Sequence, residues 1–227
     1  SGSEATKSLA DFVLLDSNFD AMIQVLNEGR RVINNIERVA ALYLIKTMYS
    51  VALTVIFIFM RHSYPFEPIQ LTPISSLMVG IPTFFLALQP DYTRITSRFM
   101  KQVMEIAVPA AIAVVGYIMV IDLLGAEFNL NFATTSTLNV LLTGIISLNA
   151  LLIAARPLNR FKIGLVALMA ILFALAFLVG GQIFSLVNLL DWQLAMIYLP
   201  LMLSAYPVFV LLQNGLGRRV LSKIRWK

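Results

Sequence analysis

A lysine and a set of hydroxyl residues interrupt two consecutive apolar stretches, and they are the residues whose chemistry stands out. Lys46, Thr47, Tyr49 and Ser50 lie close together in the first stretch. A charged side chain inside a membrane span is costly unless it is paired or solvated, which makes Lys46 a functional candidate. The alternative is that its long stem carries the ammonium back to the membrane surface.

Hydroxyl side chains recur in the second apolar stretch, where Ser75 and Ser76 precede Gly80-Ile81-Pro82. A single hydroxyl in a span is commonly bonded to the preceding turn or to a neighbouring helix. Several on two consecutive spans instead indicate a path for an ion. A proline kinks a helix and frees a backbone carbonyl, so we expect Gly80 and Pro82 to break the helix near this path.

Other kinds of chemistry are poorly represented. The sequence has no cysteine and one histidine, His62, and it contains no nucleophile–base set and no phosphate-binding motif. Glu105 and Asp122 flank the third span, so no carboxylate pair is expected at mid-membrane. We therefore predict no catalytic residue and no bound cofactor in this segment, and the identity of any metal stays open.

The composition predicts an all-α polytopic membrane protein. Of 227 residues, 59% are hydrophobic and 13% are charged, which is more apolar surface than a soluble domain of this size can bury. The apolar residues form long runs separated by short charged loops, which favours helices over a β-barrel. Six spans are predicted, at about 39–60, 71–88, 103–124, 136–155, 163–186 and 193–213.

Residues 23–60 predict the helix around which the chain is organised. The segment has no proline and one glycine, Gly29; its first half is charged and its second half is apolar. We expect a stalk in water that continues as the first span. Residues 1–22 are too few for a domain, although Phe12 to Leu15 is consistent with a buried strand and Asp16-Ser17-Asn18 with a helix cap. Because the chain starts Ser-Gly-Ser without an initiator methionine or signal peptide, we expect a fragment of a longer protein.

The basic residues predict the orientation. If the N-terminus is cytoplasmic, the outside loops hold only Arg61, and the other basic residues of the segments between the spans lie inside. Both ends are then cytoplasmic, with residues 214–227 as a basic tail. This topology accounts for the net charge of +5, so no nucleic-acid partner is expected.

The N-terminal forty residues resemble the end of the phosphorylation domain in P-type cation-transporting ATPases, together with the helix that follows it. The resemblance rests on two groups of residues: Ala10, Asp11, Val13, Leu14, Asp16, Asn18 and Phe19, and then Glu28, Gly29, Arg30, Asn34 and Asn35. The six spans match the fifth to tenth helices of that family in number and orientation. The segment from Gly80-Ile81-Pro82 to Gln89-Pro90-Asp91 is similar to its sixth helix.

The resemblance implies the C-terminal part of a bacterial ATP-driven cation pump. Residues 1–22 would be a remnant of the α/β phosphorylation domain, 23–60 the stalk and first span, and 61–213 five further transmembrane helices. The phosphorylated aspartate and the nucleotide-binding domain are not in this segment, which alone should be inactive. The full-length pump would use ATP and magnesium. The implied partners are the bilayer of the bacterial plasma membrane, the transported cation and the N-terminal part of the same pump.

The resemblance also adds residues to the ion path. Thr47 and Ser50 fall where calcium pumps carry an asparagine and a glutamate, and Ser75, Met78 and Val79 where they carry asparagine, threonine and aspartate. The sequence is closer to bacterial pumps with Lys-Thr-x-Tyr-Ser in the fifth helix, some of which are linked to calcium. Calcium is therefore favoured over magnesium, manganese or a monovalent ion, with Lys46 as a built-in positive charge.

The alternative function is a self-contained six-helix secondary transporter or channel. Such a protein often shows a repeat between its first and last three spans. Neither Lys46 nor Gly80-Ile81-Pro82 has a counterpart in the second half of the sequence.

Overall fold

The computed structural model describes residues 3–11, 13, 19–95 and 98–221, and within them every regular element is helical. A short α1 (Glu4–Leu9) precedes α2 (Asp20–Met60), and α3 (Pro68–Ala87) is a composite helix. The remaining helices are α4 (Phe99–Glu127), α5 (Phe132–Ala154), α6 (Arg160–Leu178) and α7 (Trp192–Leu212), and α7 continues as a π-helix, Gln213–Val220. The fold class predicted from composition is confirmed.

The long helix predicted at the start of the chain is confirmed, because α2 runs without interruption for 41 residues. At 1.5 Å per residue it is about 60 Å long, twice the thickness of a hydrocarbon core. It ends where Arg61 adopts a left-handed conformation, with φ of 57°. The predicted cap, Asp16-Ser17-Asn18, lies outside the described residues. Phe19 occupies the N-cap position and caps nothing with its side chain.

Six described helices are long and apolar enough to cross a membrane, as predicted. The predicted end of the fifth span is wrong, since α6 stops at Leu178 rather than near residue 186. The chain turns at Gly180-Gly181, where the Gly180 carbonyl accepts from the amides of Ile183 and Phe184. The apolar residues that follow belong to this turn and to the loop after it.

The predicted strand, Phe12 to Leu15, lies mostly outside the described residues. Of this run Val13 is described, and it is 41% exposed in this chain. The polar residues before it form α1, whose N-terminus is capped by the Ser3 hydroxyl accepting from the Thr6 amide. Six exposed helical residues bury no core of their own.

Near Gly80 and Pro82, where a break was predicted, the chain stays helical but changes helix type. Ile74–Gly80 is a π-helix, and the Ile81 amide donates to the Ser76 carbonyl. A new α-helical segment then starts at Ile81, with Pro82 in its first turn. Proline is tolerated there because an amide in the first turn needs no intrahelical acceptor. Such π turns are frequent at functional sites.

The centre of the bundle is formed by α4 and α5. Helix α4 packs against α2, α5 and α7, and α5 also contacts α3 and α6. Their fully buried side chains include Ile118 of α4 and Leu142 of α5, which join Leu53 of α2 and Met78 of α3 in one core. In contrast, α2 keeps an exposed apolar face near its C-terminal end, with Phe59 83% exposed.

Candidate functional site

A groove of about 540 Å³ lies where α2 passes α3. Lys46 donates across it from Nζ to Ser75 Oγ, at 2.6 Å. Ser75 Oγ in turn donates to the Leu71 carbonyl at 2.7 Å, so one hydroxyl receives the ammonium and ties it to the start of the π-helix. The ammonium therefore contacts α3 across the groove. The groove is lined by Tyr43, Lys46, Thr47, Ser50, Ser75 and Val79.

The groove presents oxygen atoms of two kinds to a ligand. The Thr47 hydroxyl donates to the Tyr43 carbonyl at 3.1 Å, which leaves the lone pairs of Thr47 Oγ1 available as acceptors. The carbonyl of Ser50 accepts from Thr54 at 2.8 Å, and its hydroxyl borders the groove one turn beyond Lys46. Hydroxyl and carbonyl oxygens of this kind are ligands for hard cations.

Two of the predicted residues face the interior of the bundle instead. Tyr49 and Met78 are fully buried and border a small pocket that Lys46 and Val79 also reach, together with Ser147 of α5. Ser76, which lines neither the groove nor this pocket, is exposed. The structure thus brings Lys46, Thr47, Ser50, Ser75 and Val79 together, places Tyr49 and Met78 behind them, and separates Ser76 from both.

Helix α5 contributes a buried polar stripe outside the predicted ion path. Asn139, Thr143 and Ser147 recur every four residues and are no more than 5% exposed. The Tyr49 hydroxyl, Asn139 Oδ1 and Thr143 Oγ1 are buried without a hydrogen-bond partner among the described residues. Unsatisfied polar atoms at this depth are unusual, and the four-residue spacing was the signal that could have marked them.

A second polar cluster, the stalk–loop network, joins α2 to the connector between α3 and α4. It consists of Asn34, Asn35, Arg38, Asp91 and Thr93. Asn35 Nδ2 donates to the carbonyls of Ala87 at 2.8 Å and Gln89 at 3.0 Å. Asn34 Nδ2 donates to the Thr93 carbonyl at 3.0 Å. Two adjacent amides of α2 therefore hold the connector where it leaves α3.

The charged pair of the network is Arg38 with Asp91, whose side chains are 9% and 3% exposed. Arg38 also donates to Asn35 Oδ1 and to the Arg156 carbonyl, both at 3.1 Å. Burial of Asp91 opposes its ionisation, but hydrogen bonds from Thr93 and the Arg38 guanidinium outweigh burial and lower the pKa of this carboxyl. Arg38 thus ties α2 to the α3–α4 connector and to the end of α5.

No carboxylate centre accompanies the groove. Within residues 3–11, 13, 19–95 and 98–221, no group of three or more histidine, cysteine, aspartate or glutamate side chains is arranged to hold a metal ion. The groove is therefore lined by residues that carry hydroxyl groups and by one ammonium. A divalent cation normally requires carboxylate oxygens as well.

These features define an α-helical polytopic membrane protein. Its first span is the C-terminal half of an unbroken helix whose N-terminal half is polar. Calcium-transporting ATPase CtpE of Mycolicibacterium smegmatis is 36% identical over 195 residues, 78% of this chain and 24% of the relative. Probable cation-transporting ATPase exp7 of Streptococcus pneumoniae is 34% identical over 173 residues, 73% of this chain and 22% of the relative. CtpE of Mycobacterium tuberculosis is 36% identical over 184 residues, 73% of this chain and 23% of the relative.

The chain belongs to the bacterial P-type cation-transporting ATPases and matches their C-terminal part. It spans about a quarter of the length of these relatives. No model of a known protein family matches the sequence. The resemblance inferred from the N-terminal forty residues is therefore confirmed, and the secondary transporter or channel is not favoured.

Proposed function

We propose that this chain supplies part of the ion path of an ATP-driven cation pump, together with the helix that couples the path to ATP hydrolysis. The observation that carries the proposal is the hydrogen bond between Lys46 and Ser75, which joins the stalk helix to the π-helix across an oxygen-lined groove. A charged group at this depth is retained for function more often than for stability. The proposed path comprises Lys46, Thr47, Tyr49, Ser50, Ser75, Met78 and Val79, whereas Ser76, which was predicted with them, lies outside it.

Calcium is the proposed ion. Two of these relatives carry calcium transport in their names, and residues with hydroxyl oxygens line the groove. The carboxylates that a divalent site needs would come from helices outside this chain. Lys46 would act as a resident positive charge that returns to Ser75 when the transported cation leaves, in the place of a counter-transported cation.

The coupling role rests on α2 and the stalk–loop network. A continuous helix of 41 residues can transmit a displacement along its whole length. Asn34, Asn35 and Arg38 bind this helix to the connector that follows α3, so the connector would move with it. Residues 1–22 would belong to the phosphorylation domain, where ATP and magnesium act. Both ends of the chain would face the cytoplasm of a bacterium, and this segment alone would not hydrolyse ATP.

Ser75→Ala in the full-length pump tests the path. Loss of the hydroxyl removes the acceptor of the Lys46 ammonium, so we expect the calcium concentration for half-maximal ATP hydrolysis to change about fivefold or more, the equivalent of one hydrogen bond of about 1 kcal/mol. The measurement is calcium-dependent ATPase activity of purified protein.

Ser204→Ala is the matched control. Like Ser75, Ser204 donates to a carbonyl of its own helix, that of Leu201, and hydrogen-bonds a side chain of a second helix, Tyr117, at 2.6 Å. Unlike Ser75, it lies in α7, away from the groove. Its calcium dependence should equal that of the wild type. Equal calcium dependence of Ser75→Ala and Ser204→Ala would count against the path.

A further inference from the structure

A polar cavity of about 310 Å³ lies at the base of the bundle, separate from the groove. It is enclosed by α2, the α3–α4 connector, α4 and α5. Asn34, Glu37 and Gln102 contribute polar groups, Arg94 and Arg156 contribute guanidinium groups, and Ile106 and Ile153 contribute apolar wall. The cavity is large enough for a phosphate group and several further heavy atoms.

Glu37 is a buried acceptor without a donor. Glu37 is 7% exposed, and its Oε1 atom is buried with no hydrogen-bond partner among the described residues. A buried carboxyl oxygen left in this state is costly. Glu37 lines the cavity, so its carboxyl group is an acceptor in the cavity wall, although Oε1 itself is sealed from the cavity in this structure.

Arg94 and Arg156 supply two positive charges that no partner among the described residues neutralises. Both residues are exposed, and no ion pair or side-chain hydrogen bond found among the described residues involves either guanidinium group. Arg38, which also borders the cavity, is instead committed to Asp91. The cavity thus combines two uncommitted cations at its rim with a carboxyl group in its wall.

The depth of the cavity matches the headgroup region of a membrane. Glu37 immediately precedes the apolar half of α2, residues 39–60, so it lies where the hydrocarbon core begins. Basic pockets between transmembrane helices at this level commonly bind anionic lipid headgroups. The isoleucine wall is suited to the start of an acyl chain.

We infer that this cavity binds an anionic phospholipid whose headgroup carries hydroxyl groups, as phosphatidylglycerol does. The phosphate accepts hydrogen bonds from Arg94 and Arg156, and a headgroup hydroxyl donates to Glu37. A soluble phosphate ester shares this polar chemistry, but the depth and the apolar wall of the cavity favour a lipid. The site is distinct from the groove and does not depend on the proposed ion path.

Native mass spectrometry of the full-length protein, titrated with phosphatidylglycerol in detergent, tests the site. The double substitution Arg94→Gln/Arg156→Gln should weaken lipid binding about tenfold, since charge-assisted bonds to the phosphate are lost. The matched control is Arg98→Gln/Arg160→Gln, which removes two exposed arginines from the same connectors but from outside the cavity. Equal lipid binding by the two double variants would overturn the proposal.

Glu37→Met tests the headgroup. This variant should bind phosphatidylglycerol about fivefold less tightly and phosphatidylmethanol, whose methyl-capped phosphate carries no hydroxyl, as the wild type does. Equal binding of phosphatidylglycerol by Glu37→Met and the wild type would remove Glu37 from the site. Displacement of the lipid by an equimolar concentration of glycerol phosphate would assign the cavity to a soluble ester and overturn the lipid assignment.

Discussion

Replacement of Arg38 by methionine is expected to lower the free energy of unfolding by about 3–5 kcal/mol, because it leaves a buried carboxylate without its cation. Asp91 is 5% exposed, and its remaining hydrogen-bond partners, Thr93 and Asn34, supply no positive charge. The bond from Arg38 to the Arg156 carbonyl is lost as well. The measurement is unfolding of the purified protein by steric trapping in a lipid–detergent mixture.

Two further variants separate the pair from other effects of the substitution. Arg31→Met breaks the exposed pair with Glu28 and should cost less than about 1 kcal/mol. The double substitution Arg38→Met/Asp91→Leu removes both charges and should regain most of the lost stability. A cost for Arg38→Met no larger than that of Arg31→Met would refute the account of the network.

The same pair gives the stability a defined pH dependence. The pKa of Asp91 is lowered in the folded protein, so its contribution is complete above the ordinary aspartate pKa of about 3.9 and disappears as the pH falls through the lower folded value. The wild type should therefore lose stability in acid over that range. Asp91→Asn should lack this component of the acid dependence.

Gly144→Ala is expected to destabilise the protein by about 1–3 kcal/mol through overpacking between α5 and α6. A Cβ atom on Gly144 would lie 2.0 Å from Cζ of Phe173, which is far inside van der Waals contact. Phe173 is 5% exposed and its ring packs edge-on against Phe177 at a centroid distance of 5.2 Å, so the ring has little space to withdraw. The measurement is again the free energy of unfolding.

Gly116→Ala provides the control for this substitution. Gly116 lies in α4, and a Cβ atom there would meet nothing within 4 Å, so the protein should be as stable as the wild type or slightly more stable. Adding Phe173→Leu to Gly144→Ala should cost less than the sum of the two single substitutions, because the smaller side chain makes room. Equal stability of Gly144→Ala and Gly116→Ala would show that the two helices separate freely.

The number of spans and the continuity of α2 were predictable from the sequence. Span number follows from the length of apolar runs, and continuity follows from the absence of proline between Asp20 and Met60. The end of α6 was missed because residues 179–186 are mostly apolar, while the turn at Gly180 depends on local hydrogen bonds rather than on hydropathy.

The arrangement of the site was only partly predictable. Lys46 and Tyr49 are three residues apart, but Lys46 hydrogen-bonds Ser75 across the groove whereas Tyr49 is buried. Helical spacing alone does not tell which face of α2 packs against the bundle. The π-helix before Gly80 shifts the register of α3 in a way that no composition signal marks. The contact between Arg38 and Asp91 joins residues 53 positions apart, so no local pattern predicts it.

The most direct test of the proposed ion path is ATP-driven uptake of radioactive calcium by proteoliposomes that contain the full-length protein. Lys46→Arg keeps the charge and should retain uptake, whereas Lys46→Met should alter the calcium dependence of uptake and of ATP hydrolysis together. The account predicts that Lys46→Met departs from the wild type and Lys46→Arg does not. Unchanged uptake and unchanged calcium dependence in Lys46→Met would contradict it.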